Sequence, residues 1–313
     1  MKQFIKYILT ILLTALIIFE AVVLGIIAFP QGVFKDSYQS VIVDKYRKLQ
    51  ETNEPKIIIV CGSSSAFGLN QAMLEEETGY KVVDLGLHAG FGHLFYSELA
   101  KENINEGDIV LLSYEYGWQD GFDTLGQDLI MSGIDENIDM YKHIPVEYWD
   151  DFIGYIFKYA ETKYSYIPPM PGDIYSRAAF DSETTQMTMY RGYVMDYPNN
   201  IALYGQIDLT GVTISESTIE YLKGFKEYAE QCGASVYFIS PPVLKQAVVC
   251  DYSEFDSLVQ QEEELIGIPF ISNPVDYFFE DELMSNAIYH CSSEGEIVRT
   301  ELLVEDLKRA GVI

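Results

Sequence analysis

Residues 7–28 are almost wholly apolar, interrupted only by Glu20 and a few small polar residues. At about 1.5 Å per residue such a run reaches about 33 Å as a helix, enough to cross a bilayer core. A cleavable signal peptide would carry a shorter apolar region, about 7 to 15 residues, ending in a small-residue cleavage pattern. No such pattern precedes Pro30, so residues 7–28 are expected to form an uncleaved membrane anchor. Lys2 and Lys6 lie ahead of the run, which places the amino terminus in the cytoplasm and everything after Pro30 outside. Glu20 is either protonated or snorkelling there, or it marks a contact with another membrane protein.

Beyond the anchor the period changes. Residues 37–51 carry Val41, Val43, Tyr46 and Leu49 at loosely helical spacing, ended by Asn53-Glu54-Pro55. Residues 56–61 form a continuous apolar run of the kind shown by a strand buried on both faces, and it stops abruptly in Gly62-Ser63-Ser64-Ser65-Ala66-Phe67-Gly68. A helix over 69–78, a strand over 81–87, a helix over about 93–105 and a strand over 109–115 follow. This alternation predicts an α/β fold, a doubly wound, flavodoxin-like parallel sheet. From about 118 to 213 the rhythm is lost in a stretch rich in tyrosine, proline and aspartate, which reads as an aromatic-rich insertion. Its tyrosines either close a subsidiary core or offer ring faces to sugars. The pattern then resumes with a helix over 215–231, a strand over 234–240, a helix near 252–265, a short strand over 269–272 and a final helix to about residue 308. That makes about five strands, with residues 1–30 as anchor and 31–313 as one extracytoplasmic domain.

Composition narrows the chemistry. A hydrophobic fraction of 48% over 313 residues supports a sizeable core. Acidic residues outnumber basic ones, 48 to 20, and the net charge of -28 argues against nucleic acid or anionic headgroups as partners. Neutral or cationic substrates fit better. Cys61, Cys232, Cys250 and Cys291 show no CxxC spacing, so neither a zinc ribbon nor a thioredoxin motif is indicated. Cys61 with Cys291, or Cys232 with Cys250, could pair as disulfides or remain buried thiols. A metal site on His88 and His93 lacks a carboxylate at ligand spacing, and no cofactor is expected.

The glycine-serine turn after the first strand lies where an open α/β sheet keeps its chemistry. A serine hydroxyl there becomes a nucleophile only if a base accepts its proton and donors await the oxyanion. Of the four histidines, His88, His93, His143 and His290, the last precedes the final helix, on the sheet edge that carries the serine turn.

These residues carry a resemblance. The stretch from Gly62 to Gly68 resembles the first block of the SGNH/GDSL hydrolase superfamily, Asp84-Leu85-Gly86 resembles its second, and Tyr289-His290 with Gly295, Arg299-Thr300 and Asp306-Leu307 resembles the carboxyl-terminal block. The anchor, the turn over 86–90 (GLHAG), the strand stretch over 107–116 (GDIVLLSYEY) and the ending from Tyr289-His290 to Asp306-Leu307 are similar to membrane-anchored SGNH-like proteins of Gram-positive bacteria, several of which are associated with acyl transfer to cell-surface polymers. The resemblance implies an SGNH-type sheet, Ser64 as nucleophile with Ser63 as the alternative, His290 as base, and oxyanion donors on the N–H groups of Ser64 and Gly86. The aspartate usual three or four residues before the histidine is replaced by Ala287 and Asn286; Asn286 can orient the ring, and Asp281 or Glu282 is the alternative acid. The block that supplies an asparagine donor is replaced by Ser113-Tyr114-Glu115-Tyr116. The expectation is a membrane-anchored serine esterase or O-acyltransferase acting on a cell-envelope glycan or polymer, with an integral-membrane acyltransferase as partner. The alternative is a catalytically degenerate protein that binds envelope glycan or a membrane partner.

Overall fold

The apolar run Lys56–Cys61 is buried throughout and forms β1 in the computed structural model, which describes residues 2–313. It lies between β2 (Lys81–Asp84) and β3 (Ile109–Ser113), and β4 (Ser235–Phe238) completes a parallel sheet of order β2-β1-β3-β4. Lys56 stands opposite Lys81, Ile57 opposite Ile109, and Ile109 opposite Ser235. The strand expected over 269–272 is reduced to a bridge on the β4 edge. The Phe238 N–H donates to Pro269 O (2.9 Å) and the Ile271 N–H to Phe238 O (3.0 Å). Pro269 has no N–H to extend a ladder, and the chain turns away at Pro274, so four strands form rather than five. A separate parallel pair joins β5 (Val243–Leu244) to β6 (Phe278–Phe279).

Alternate residues of β1 point to opposite faces, and each face meets its own helices. The helices are α1 (Lys2–Ala28), α2 (Val41–Glu51), α3 (Ser63–Ala66), α4 (Gln71–Thr78), α5 (His93–Ala100), α6 (Trp118–Gly121), α7 (Gln127–Ile134), α8 (Trp149–Ser165), α9 (Ile201–Tyr204), α10 (Glu216–Gln231), α11 (Ser253–Ile266) and α12 (Ser293–Arg309). Ile57 and Ile59 pack with Leu74 of α4 and Leu303 and Leu307 of α12. Ile58 and Val60 belong to the larger core with Leu49 of α2, Leu94 of α5 and Leu222 of α10. Local signals set the helix ends: Asn70, Ser215 and Ser292 accept backbone N–H groups as N-caps, and Gly79 takes the left-handed conformation after α4.

The segment 118–213 is not a simple loop. Its helices α7 and α8 pack together, and Tyr141, Tyr159 and Tyr197 are buried with Phe152 and Ile156 in the same apolar core as Ile58 and Val60, so these tyrosines extend the main core rather than close a separate one. Tyr164 and Tyr190 stay exposed. Helix α1 has no buried residue and is long and apolar enough to cross a membrane. Its last turns rest on α8, where Lys163 Nζ donates to Ile27 O at 2.9 Å. All four cysteines are free thiols, Cys61 and Cys291 buried and the other two half-buried.

Candidate functional site

The site forms at the carboxyl ends of β1 and β3, in the crevice where the strand order turns back. After Cys61 the chain bends at Gly62, and α3 begins at once, so its three serines point in three directions, about 100° apart. Ser63 is half-exposed. Ser64 is fully buried, and its hydroxyl makes no hydrogen bond of normal geometry. Ser65 Oγ donates to Asp84 Oδ1 and touches Cys61 Sγ (2.6 Å).

Ser63 is therefore the serine that meets the histidine. His290 Nε2 lies 2.9 Å from Ser63 Oγ, and His290 Nδ1 lies 2.8 Å from Asn286 Oδ1. Asn286 Nδ2 donates to Tyr175 Oη (2.7 Å), which leaves Asn286 Oδ1 to accept from an Nδ1–H. The proton then resides on Nδ1, and Nε2 is the acceptor for the Ser63 hydroxyl. Phe67 stacks on the imidazole with ring centroids 4.2 Å apart and planes at 9°. Backbone bonds fix the loop: the His290 N–H donates to Ala287 O (3.0 Å), the Ser285 N–H to His290 O (2.8 Å) and the Cys291 N–H to Phe67 O (2.9 Å). Burial first, then the positive charge of Arg191 and the neighbouring His88, lowers the His290 pKa to about 3. The imidazole is thus neutral at physiological pH.

The donors beside Ser63 are already engaged. Glu115, which follows β3, accepts the Gly62 N–H on Oε2 (3.1 Å) and the Ser64 N–H on Oε1 (2.8 Å). A Cβ on Gly62 would collide with this carboxylate, so glycine is required for the approach. Burial raises the Glu115 pKa, while the N–H bonds oppose that rise. His93 Nε2 is 3.9 Å from Glu115 Oε2, but burial lowers the His93 pKa to about 3, so the contact is not an ion pair at neutral pH. From α12, Arg299 donates to Ser64 O (2.6 Å) and Ser113 Oγ (3.1 Å), joining the serine turn to the end of β3.

Several expected placements are corrected. Ser64, the nucleophile that the resemblance implies, is buried about 100° around α3 from Ser63, which is the serine that faces His290. Gly86 is not a free oxyanion donor: its N–H donates to Asp84 Oδ1 (2.9 Å), and a Cβ there would strike Ser65 Oγ, Cys61 Sγ and Gly62 O. Asp281 does not support the histidine; it accepts from Gln246 Nε2 (2.6 Å), and Asn286 holds the ring nitrogen instead. His88 accepts the Gly90 N–H on Nδ1 (3.0 Å), and His143 Nε2 meets Tyr46 Oη (3.0 Å). Among the described residues no three His, Cys, Asp or Glu side chains converge as a metal site.

Sequence reasoning did not find Tyr175, Phe67 or Glu115 as parts of this cluster. Glu115 had a signal, since it lies in the Ser113-Tyr114-Glu115-Tyr116 stretch that departs from the pattern the resemblance implies. Tyr175 had none, because only the fold of the insertion brings it to Asn286. Comparison with protein-family models and with curated protein sequences finds no match.

Proposed function

We propose that the protein is a membrane-anchored serine esterase or O-acyltransferase in which Ser63 is the nucleophile and His290 its base. The observation that carries this reading is the chain Ser63 Oγ, His290, Asn286, Tyr175, with hydrogen bonds of 2.9, 2.8 and 2.7 Å. In the first step Ser63 Oγ bonds to the acyl carbon while its proton passes to His290 Nε2; the alcohol of the ester then leaves with that proton. Water or an acceptor hydroxyl reverses the sequence, giving hydrolysis or transfer. The likeness to SGNH-type envelope proteins and the anchor suggest a cell-envelope glycan or polymer as acceptor, and an integral-membrane acyltransferase as donor partner.

A second reading is favoured by one specific observation. Glu115 holds the N–H groups of Gly62 and Ser64, and Asp84 holds that of Gly86, so these donors are not free to stabilise an oxyanion. In that reading the protein keeps the cluster but binds envelope glycan or a membrane partner without turnover.

Turnover of p-nitrophenyl acetate by the full chain in detergent separates them. The catalytic reading predicts hydrolysis that falls by about a hundredfold or more in Ser63→Ala and His290→Ala, and changes by less than about threefold in Ser64→Ala. Hydrolysis indistinguishable from buffer would leave only the binding reading, and hydrolysis unaffected by Ser63→Ala would overturn Ser63 as the nucleophile.

A further inference from the structure

Helix α8 carries an apolar face that the fold does not cover. At about 100° per residue, Trp149, Ile153, Phe157, Ala160 and Tyr164 fall within one arc of less than a quarter turn. Phe157 is 66% exposed and Tyr164 95%, and Trp149 and Ile153 are exposed as well. Asp150, Asp151, Lys158 and Glu161 lie outside the arc, while Phe152, Ile156 and Tyr159 turn inward. A contiguous apolar and aromatic arc of this kind on an acidic protein has no folding reason to face water.

Its position says what covers it. Val23 and Ile27 of α1 line a groove with Trp149, Phe152, Ile153 and Ile156 of α8, and Lys163 Nζ donates to the Ile26 and Ile27 carbonyls at 3.4 and 2.9 Å, as a cation does at a helix carboxyl end. Helix α8 therefore packs on residues inside the apolar run, not on a linker beyond it. The 27 residues of α1 extend about 40 Å, roughly 10 Å more than a hydrocarbon core, so its last turns occupy the interface. Tryptophan and tyrosine on an apolar helix face are the side chains that settle at headgroup depth. The arc lacks a basic rim, so area rather than attraction to anionic lipid would hold it.

We propose that α8 is a monotopic element, its Trp149–Ile153–Phe157 face inserted in the outer leaflet beside α1, seating the domain against the bilayer. The proposal rests on α1 being a membrane span.

The test uses the full chain in zwitterionic phosphatidylcholine vesicles, with and without brominated acyl chains. Trp118, in the aromatic core beside Tyr114 and Phe122, is an internal reference; the sequence has one other tryptophan, Trp149. Brominated lipid should remove about half or more of the Trp149 emission, as expected for a ring at headgroup depth, and Trp149→Phe should abolish the quenched component. Phe157→Glu should weaken the quenching while the protein still floats with vesicles. Flotation with Trp149 unquenched overturns the proposal and leaves the span intact. Failure to float overturns both. Shielding of Trp149 from iodide in native membranes, without quenching in pure lipid, would assign the face to a protein partner and also overturn it.

Discussion

Asn286 is the residue on which the strength of the site turns. It orients His290 and selects the tautomer, but in the proposed reaction it would bring no charge to stabilise the imidazolium formed during proton transfer. Asn286→Asp should therefore accelerate acylation by about tenfold or more, with Tyr175 Oη donating to the new carboxylate. The same change should alter the pH profile. The His290 pKa is lowered to about 3, so protonation removes the base only in strong acid, and the native rate should show no inflection near pH 6.5. A carboxylate at 286 favours the protonated ring and moves the acid limb upward. Rates of acylation measured from pH 4 to 8 check both parts; an unchanged rate and profile in the variant would show that His290 is not the base. The choice between Ser63 and Ser64 was not legible from spacing. It depends on the helical phase set by the backbone at Gly62, where one residue rotates a side chain by about 100°.

At the scale of elements, one carboxylate joins three of them. Asp84 at the end of β2 pairs with Lys45 of α2 at 2.9 Å, and it also accepts from Ser65 of α3 and from the Gly86 N–H. Both members of the ion pair are buried, so removing one leaves an uncompensated charge. Lys45→Met should cost about 3–5 kcal/mol of stability, read from the denaturation midpoint in detergent. A loss below about 1 kcal/mol would mean that the pair does not hold α2 to the sheet. The elements themselves were largely legible. Lys56–Cys61 shows the buried-strand run without interruption, and Ser215, Ser292 and Gly79 mark helix ends where the chemistry requires them. The strand over 269–272 failed because a short apolar run does not report that Pro269 lacks an edge donor. Helix α8 was hidden because its apolar positions face two environments, the main core and an uncovered side, and α7 because it is only 8 residues long.

For the whole molecule, the parallel sheet brings residues from distant parts of the chain to one crevice: Ser63 after β1, Glu115 after β3, Tyr175 from the insertion and His290 before α12. Sequence patterning placed the serine turn and His290 at the same sheet edge, since the strand-to-helix alternation dictates which ends meet. It could not place Tyr175 or reveal that Glu115 turns inward onto the Gly62 and Ser64 N–H groups, because both depend on long-range packing. A helix long and apolar enough to cross a membrane was legible from length and apolarity alone, whereas the exposed face of α8 becomes visible only once the core has claimed its other side. The central assignment is that Ser63, not Ser64, is the reactive hydroxyl. Reacting the full chain with a fluorophosphonate and locating the adduct by tandem mass spectrometry tests it most directly. The prediction is a single phosphonyl group on Ser63 that disappears in His290→Ala; an adduct on Ser64, or none after prolonged exposure, would contradict it.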